Sequence, residues 1–433
     1  MLYFKIQEKA TAVHSQSTLE AQLQIEQPNF WVISDNHFFA KTLFEESAVF
    51  KEFEAGAVGK DLRYSQDLLA ALVEKALIEQ PTGLILTGDL TLNGEKESLD
   101  QMTQTLAPLK KAGIFVFAIP GNHDIHNGWA RKFTQDQQLV AHQISPSDFK
   151  TAFSDGYEFS VSQDAHSLSY AVDLATYRLV FVDSNLYSET FSKEAPITQG
   201  RVKEKTLTWL EQVLSQARET NKIPLLFLHH NVLAHNEKVQ QAFVLNNASN
   251  VLDLVATYQV PVAFSGHIHL QDITKSPTLP KFYEITTSAF SIAESHIGHV
   301  TLQPDQLNYE VENFDPRPYF TAAQRKKPDL NDYPNYLVQR YEAVGASMAE
   351  NTLYRIGIKD EALIQSAKEM VGSANLRYFT GHNSLTTEEQ AAIQTDPVYQ
   401  FLQENSTRLA RQVEQSLNDP NTPNNQSLTL ELP

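Results

Sequence analysis

The chain contains no cysteine and only 4 methionines and 3 tryptophans among its 433 residues. The missing thiols exclude disulfides, thiolate nucleophiles and Cys-type structural zinc sites, and leave the compartment open. Long apolar runs are missing too: no stretch approaches the length that spans a bilayer. The opening Met1-Leu2-Tyr3-Phe4-Lys5-Ile6 is too short for a signal peptide and has no small-residue cleavage site. It reads as the stub of a removed anchor or, more simply, as a ragged start. Positive charge is scarce, with 34 Lys and Arg against 52 Asp and Glu and a net charge of −18. Such a surface repels nucleic-acid backbones and argues against a polymeric DNA or RNA partner. At 42% hydrophobic the composition is that of a globular protein, and the length accommodates two domains.

What is present is a series of five polar motifs, each directly after an apolar run. Asp35-Asn36-His37 follows Phe30 to Ile33, Gly88-Asp89 follows Leu84 to Leu86, and Gly121-Asn122-His123-Asp124 follows Ile114 to Phe117. His229-His230 follows Leu225 to Leu228, and Gly266-His267-Ile268-His269 follows Val260 to Phe264. In an open α/β sheet, ligands collect outside the carboxyl ends of the strands. Asp-x-His and His-x-His place two side chains on one side of an extended segment, because strand residues two apart face the same way. Gly88, Gly121 and Gly266 permit tight turns or close backbone approach. Singly these motifs are weak. In fixed order, each at a strand end, they describe the ligand set of a two-metal hydrolase. Oxygen and imidazole donors without thiolate suit two divalent or mixed-valence ions, Mn or Fe first, with Zn or Mg as alternatives.

Between the first three motifs, Leu68, Leu69, Leu72, Val73 and Leu77, and then Leu99, Met102, Leu106 and Leu109, recur at helical spacing. This βαβ alternation predicts an α/β fold with parallel strands. An aromatic-bearing insertion over 125–165 carries Trp129, Phe133, Phe149, Phe153 and Tyr157, most of them expected in the core. The expected organisation is an N-terminal arm (1–28), a catalytic domain (29–312), a Pro-rich linker (313–333), an all-α C-terminal domain (334–417) and a disordered tail (418–433). One final helix is expected through Leu402, Leu409, Val413 and Leu417. There is no internal repeat.

The motif series resembles that of the calcineurin-like metallophosphoesterases, D-x-H, G-D, G-N-H-[DE], H and G-H-x-H, over residues 29–312. The resemblance implies a sandwich of two sheets flanked by helices. It also implies one metal held by Asp35, His37, Asp89 and His269, and a second held by Asp89, Asn122, His229 and His267, with Asp89 bridging. The flanks Gly121 to Ile125, His229-His230-Asn231 and Ser265 to Asp272 look closest to bacterial class III cyclic nucleotide phosphodiesterases. Some of these carry a helical C-terminal domain. Either His229 or His230 could be the ligand; His229 is preferred because it comes first after the strand and His230 would face the other way.

With Asn122 as ligand, His123 is free to protonate a leaving oxygen as general acid, with Asp124 orienting its ring. His126, His230 and His235 lie beside motifs and are candidates for substrate contact or for supporting the site. The expected activity is hydrolysis of small phosphodiesters, cyclic nucleotides first. A phosphomonoesterase, a glycerophosphodiesterase and a 5′-nucleotidase are the alternatives within the class. A metal-bound interaction protein is the rival outside it, and an intact His123 argues against that. The resemblance and the apolar start point weakly to an extracytoplasmic or anchored setting, with a cytoplasmic one as the alternative.

Overall fold

The computed structural model describes residues 16–236, 240–419, 421–422 and 424–432. The apolar runs ahead of the motifs are short strands: β1 (Asn29–Ile33), β2 (Gly83–Leu86) and β3 (Phe115–Ala118). Next come a small hairpin, β4 (Arg131–Phe133) with β5 (Gln138–Val140), and then β6 (Ser160–Gln163), β7 (Tyr170–Asp173) and β8 (Tyr177–Val182). The series continues with β9 (Ile223–Leu228), β10 (Val262–Ser265), β11 (Asp272–Lys275), β12 (Tyr283–Thr286), β13 (Ile297–Gln303), β14 (Gln306–Glu312) and β15 (Ser427–Glu431).

Apart from the β4–β5 hairpin, they form two sheets. One has the order β15-β14-β13-β1-β2-β3, the other β11-β12-β10-β9-β8-β7-β6. β1, β2 and β3 run parallel, as do β8, β9, β10 and β12, so the motif-bearing ends collect at one edge of each sheet.

Alternation along each strand sets the layers. Phe30 and Val32 of β1 face a core between the sheets, where they join Phe117, Phe181, Phe227 and Phe264. Trp31 and Ile33 face outward beneath the helices Ser65–Glu79 and Lys96–Lys111. In β9, Phe227 points inward, while Leu226 and Leu228 meet the helices Glu204–Glu219 and Ala248–Tyr258. The result is helix, sheet, sheet, helix. In the aromatic insertion, Phe133, Phe149 and Phe153 are buried but Trp129 is exposed.

The C-terminal region is helical over Tyr333–Arg355, Glu361–Phe379, Thr387–Gln394, Pro397–Asn405 and Thr407–Glu414. Gly345 and Gly372 let the first two helices approach closely: a Cβ on Gly345 would lie 2.7 Å from the Val371 carbonyl, and one on Gly372 2.8 Å from that of Glu342. The expected single final helix is two, because Ser406 ends one and caps the next through the Leu409 amide.

Three sequence expectations change. Phe314, Phe320 and Leu330 of the proposed linker pack into the outer core of the six-stranded sheet, so this segment is part of the packed structure. The tail expected to be disordered instead forms β15, antiparallel to β14, with Leu430 opposite Leu307. Residues 16–23 of the expected arm form a helix whose Leu23 joins the inter-sheet core. The apolar start lies outside the described residues. Among the described residues, no helix is long and apolar enough to cross a membrane.

Candidate active site

The chain leaves β1, β2 and β10 through backbone that few residues adopt. Asp35, His37, Asp89, His267 and His269 all have positive φ, between 42° and 69°. The side chains converge through left-handed turns, not through the extended segments that the spacing suggested. Each such residue costs about 1–3 kcal/mol and persists only where surrounding contacts fix it. Here the Asp35 amide donates to the Gly88 carbonyl at 3.0 Å and the His37 amide to that of Asp89 at 2.9 Å. Close packing excludes side chains nearby: a Cβ on Gly121 would lie 2.1 Å from Asp89 Oδ1, and one on Gly266 1.8 Å from Ser34 Oγ.

Two donor groups result, each with its atoms within 4.8 Å of one another: Asp35, His37, Asp89 and His269, and Asp89, His229 and His267. In the first, Asp35 Oδ1 is 3.3 Å from His269 Nε2, and the Nε2 atoms of His37 and His269 are 3.1 Å apart. In the second, His229 Nε2 is 3.4 Å from Asp89 Oδ1 and 3.2 Å from Asn122 Oδ1. Asp89 belongs to both groups, with Oδ1 turned to His229 and Oδ2 3.8 Å from His37 Nε2.

The ring atoms that face away are occupied. His229 Nδ1 meets the Thr87 carbonyl at 2.9 Å and His267 Nε2 that of Ala242 at 3.0 Å, which leaves the opposite nitrogens toward the cluster. Ser34 Oγ and the His267 amide donate to Asp35 Oδ2.

Burial opposes ionisation of Asp89, but the charges of His229, His123 and His37 outweigh it and hold the carboxyl well below the usual range. Burial likewise disfavours a charged His229, yet Asp89 and Asp35 push it up to about 9. Burial instead lowers His37 and brings His267 down to about 3, so ionised carboxylates face imidazoles that mostly stay unprotonated, the state in which both can bind a cation.

His230 lies outside both groups, its Nδ1 2.9 Å from Ser184 Oγ and its Nε2 3.1 Å from the Thr198 carbonyl. His123 sits half-buried with its ring edge-on to His37. Its expected partner is corrected by the structure. Asp124 does not meet the ring; its carboxylate accepts from the amides of Leu90, Thr91 and Gly121 and from Thr91 Oγ1, fixing the loop. Asn93 Oδ1 is the ring's partner, 2.9 Å from His123 Nδ1. Asn93 follows the Gly-Asp motif by four residues and carries no motif signal of its own. His126 Nδ1 meets the Ser188 carbonyl at 2.7 Å. His235 is buried between Asp272 and Glu284, apart from the metal donors.

Comparison with known proteins agrees with this geometry. Residues 28–271 match the calcineurin-like phosphoesterase family. The chain belongs to that family. Residues 315–423 match a second family, the C-terminal domain of cyclic nucleotide phosphodiesterase. A glycerophosphodiester phosphodiesterase of Enterobacter lignolyticus is 25% identical over 244 residues, covering 56% of this chain and 71% of its own. A probable cyclic nucleotide phosphodiesterase of Rhodopseudomonas palustris is 25% identical over 252 residues, covering 56% and 79%. A dimetal phosphatase structure from Danio rerio aligns at 16% identity and a TM-score of 0.48, covering 66% of this chain and 97% of its own. The protein is a hydrolase acting on phosphate esters. The family and the Asp/His cluster together indicate a site for two divalent metals, and the donor chemistry fits one: two carboxylates, an amide oxygen and imidazole nitrogens, with no thiolate.

Proposed function

We propose that the protein is a dinuclear phosphodiesterase that hydrolyses cyclic nucleotides of the cyclic AMP type to nucleoside monophosphates. The observation that carries this reading is the second domain: residues 315–423 match a family described by its place in cyclic nucleotide phosphodiesterases. Asp35, His37, Asp89 and His269 would hold one metal, and Asp89, Asn122, His229 and His267 the other. Two bound divalent ions, Mn or Fe first, supply Lewis acidity toward the phosphoryl oxygens and lower the pKa of water.

The chain's own residues supply the rest. Asp89 serves both sites because its two oxygens face different donor groups. Thr87 and Ala242 fix which nitrogen of His229 and His267 is presented. His123 protonates the leaving oxygen, a step that matters for an alkoxide and little for an activated aryl oxide. Asn93 orients its ring through Nδ1 and leaves Nε2 for the proton transfer.

The experiment is a substrate panel run with Mn²⁺: 3′,5′- and 2′,3′-cyclic AMP, AMP and glycerophosphodiesters. Cyclic AMP should be opened to the monophosphate with little further dephosphorylation. A second reading, glycerophosphodiester hydrolysis, is favoured by the Enterobacter lignolyticus relative. Preference for glycerophosphodiesters or AMP over both cyclic nucleotides would overturn the cyclic nucleotide assignment.

A further inference from the structure

The segment Gly59-Lys60-Asp61 joins the helix Ala48–Ala55 to the helix Ser65–Glu79, and in sequence it looks like an ordinary polar loop. In the structure it is held from two directions. On the catalytic side, the Asp61 amide donates to the Ser291 carbonyl at 2.8 Å, and Ser291 Oγ donates to the Asp35 carbonyl at 3.0 Å. The loop is therefore two hydrogen bonds from a member of the metal cluster.

On the other side, the first C-terminal helix grips it. Tyr333 Oη donates to Asp61 Oδ2 at 2.6 Å, Tyr336 Oη to Asp61 Oδ1 at 3.3 Å, and Arg340 Nη2 to the Lys60 carbonyl at 3.0 Å. Gly59 has φ +78°, and a Cβ there would lie 2.6 Å from the Tyr341 ring, so the chain passes directly beneath that tyrosine.

Between these two holds, Lys60 is half-buried on a loop that is tied through Ser291 to Asp35 of the cluster. Burial lowers its basicity, and the charges of Asp89 and Asp35 partly restore it. Its own charge in turn disfavours protonation of His37 and His123. It forms no salt bridge among the described residues. A partly desolvated ammonium without a carboxylate partner is costly to keep unless an anion arrives to meet it. A cation cannot serve as a metal ligand. It can bind the oxygen of a phosphoryl group, for which lysine is a suitable point charge.

We infer that Lys60 is a substrate-contacting residue whose ammonium binds a phosphoryl oxygen of the ester at the metal cluster, and that the helix Tyr333–Arg355 positions it there. The inference rests on the phosphoesterase reading of the site and adds a residue and a task for the second domain. Negative charge grows on the phosphoryl oxygens as hydroxide adds, so a fixed cation there favours both binding and turnover. Arg340, which touches the Lys60 backbone and not the cluster, is a positioning residue.

The test uses the full chain loaded with Mn²⁺, with bis(p-nitrophenyl) phosphate as substrate and inorganic phosphate as ligand in calorimetric titration. Lys60→Met keeps the stem and deletes the charge. It should retain two metals per chain and the parent Tm, while kcat/KM and phosphate affinity fall roughly 10–100-fold, the weight of a hydrogen bond to a charged group. Lys60→Arg should recover most of both. Arg340→Met should shift phosphate affinity the same way, by about 2–5-fold, because Tyr333 and Tyr336 still hold Asp61. Unchanged phosphate affinity in Lys60→Met with metals in place overturns the inference, as does loss of metal from that variant. If the parent protein hydrolyses no ester, the site reading fails instead, and the phosphate titration still reports on Lys60.

Discussion

The two sheets meet at the site with unlike chemistry. Strands β1, β2 and β3 deliver Asp35, Asp89 and Asn122, together with His37 and His123; β9 and β10 deliver only imidazoles, His229, His267 and His269. The six-stranded sheet thus supplies all the negative charge that attracts a cation. The seven-stranded sheet adds imidazole nitrogen donors. Neither half is a site alone. Contact between them depends on the inter-sheet core, where Phe117 meets Phe181 and Tyr309 meets Phe264 across the sheets, with ring centroids 5.7 and 6.2 Å apart. A metal centre split in this way depends on how two sheets pack, as well as on what their strand ends carry.

The sharpest way to break the comparison is to remove charge from one half and a nitrogen from the other. Asp89→Asn should lose both metals and lower turnover by about 10³-fold or more, since it removes several kcal/mol of charge stabilisation at once. His267→Ala should keep metal in the Asp35 group. Equal metal content in the two variants, measured by elemental analysis, would deny the asymmetry. Exhaustive chelation of the parent should abolish turnover and Mn²⁺ should restore it.

His123→Ala tests the first sheet's role in chemistry apart from metal holding. Metals should remain while diesterase activity on cyclic AMP falls about 10²–10⁴-fold, the usual weight of a general acid. The loss should shrink on p-nitrophenyl diesters, whose leaving group barely needs a proton; an equal loss on both would assign the ring to positioning.

Deleting residues 427–433 strips the edge of the six-stranded sheet and uncovers Leu307 and Tyr309, at a cost of a few kcal/mol from lost apolar burial. Urea denaturation should show a lower midpoint. An unchanged midpoint would make β15 a passive addition.

The seven-stranded sheet should show its own pH response. Burial works against a charged His235, but Asp272 and Glu284 push its pKa up to about 9. A histidine raised in the folded state stabilises fully below its unfolded value near 6.5, and that stability is lost as pH rises through 9. Up to roughly 3 kcal/mol should disappear across this window. Tm measured at pH 6.5 and 9 should therefore fall in the parent and fall less in His235→Gln; parallel falls would remove His235 as the cause.

The smallest expected effect separates Asn93 from Asp124. Asn93→Ala should lower kcat about tenfold by freeing the His123 ring, the value of one hydrogen bond. Asp124→Asn should act on stability, because its carboxylate accepts three backbone amides. A kcat loss in Asp124→Asn with parent Tm would restore the assignment made from sequence.

Much of the site was legible because strand ends are marked twice, by an apolar run and by the polar residues that stop it. The five motifs named the Asp and His residues that the structure brings together in two groups, without any knowledge of their backbone. Their left-handed turns were not legible, because nothing in Asp-x-His distinguishes an extended segment from one held at positive φ by partner strands. Asn93 and Lys60 were missed for a related reason: each matters through a neighbour distant in sequence. Asp124 was misread because adjacency in sequence to His123 stood in for contact. The tail misled through composition, since Asn and Pro before β15 obscure the alternating Leu428, Leu430 and Leu432 that pair it to the sheet.

That last strand has a consequence for how the chain is made. β14 ends at Glu312 and its partner begins at Ser427, so residues 313–426 must leave the ribosome before the pair can form. For that interval, lasting about 6–23 seconds at roughly 5–20 residues per second, the nascent sheet has an unpaired, partly apolar edge. An aggregation-prone intermediate of translation is thus written into the strand order, and slowing or stalling synthesis between 313 and 426 should lengthen its exposure.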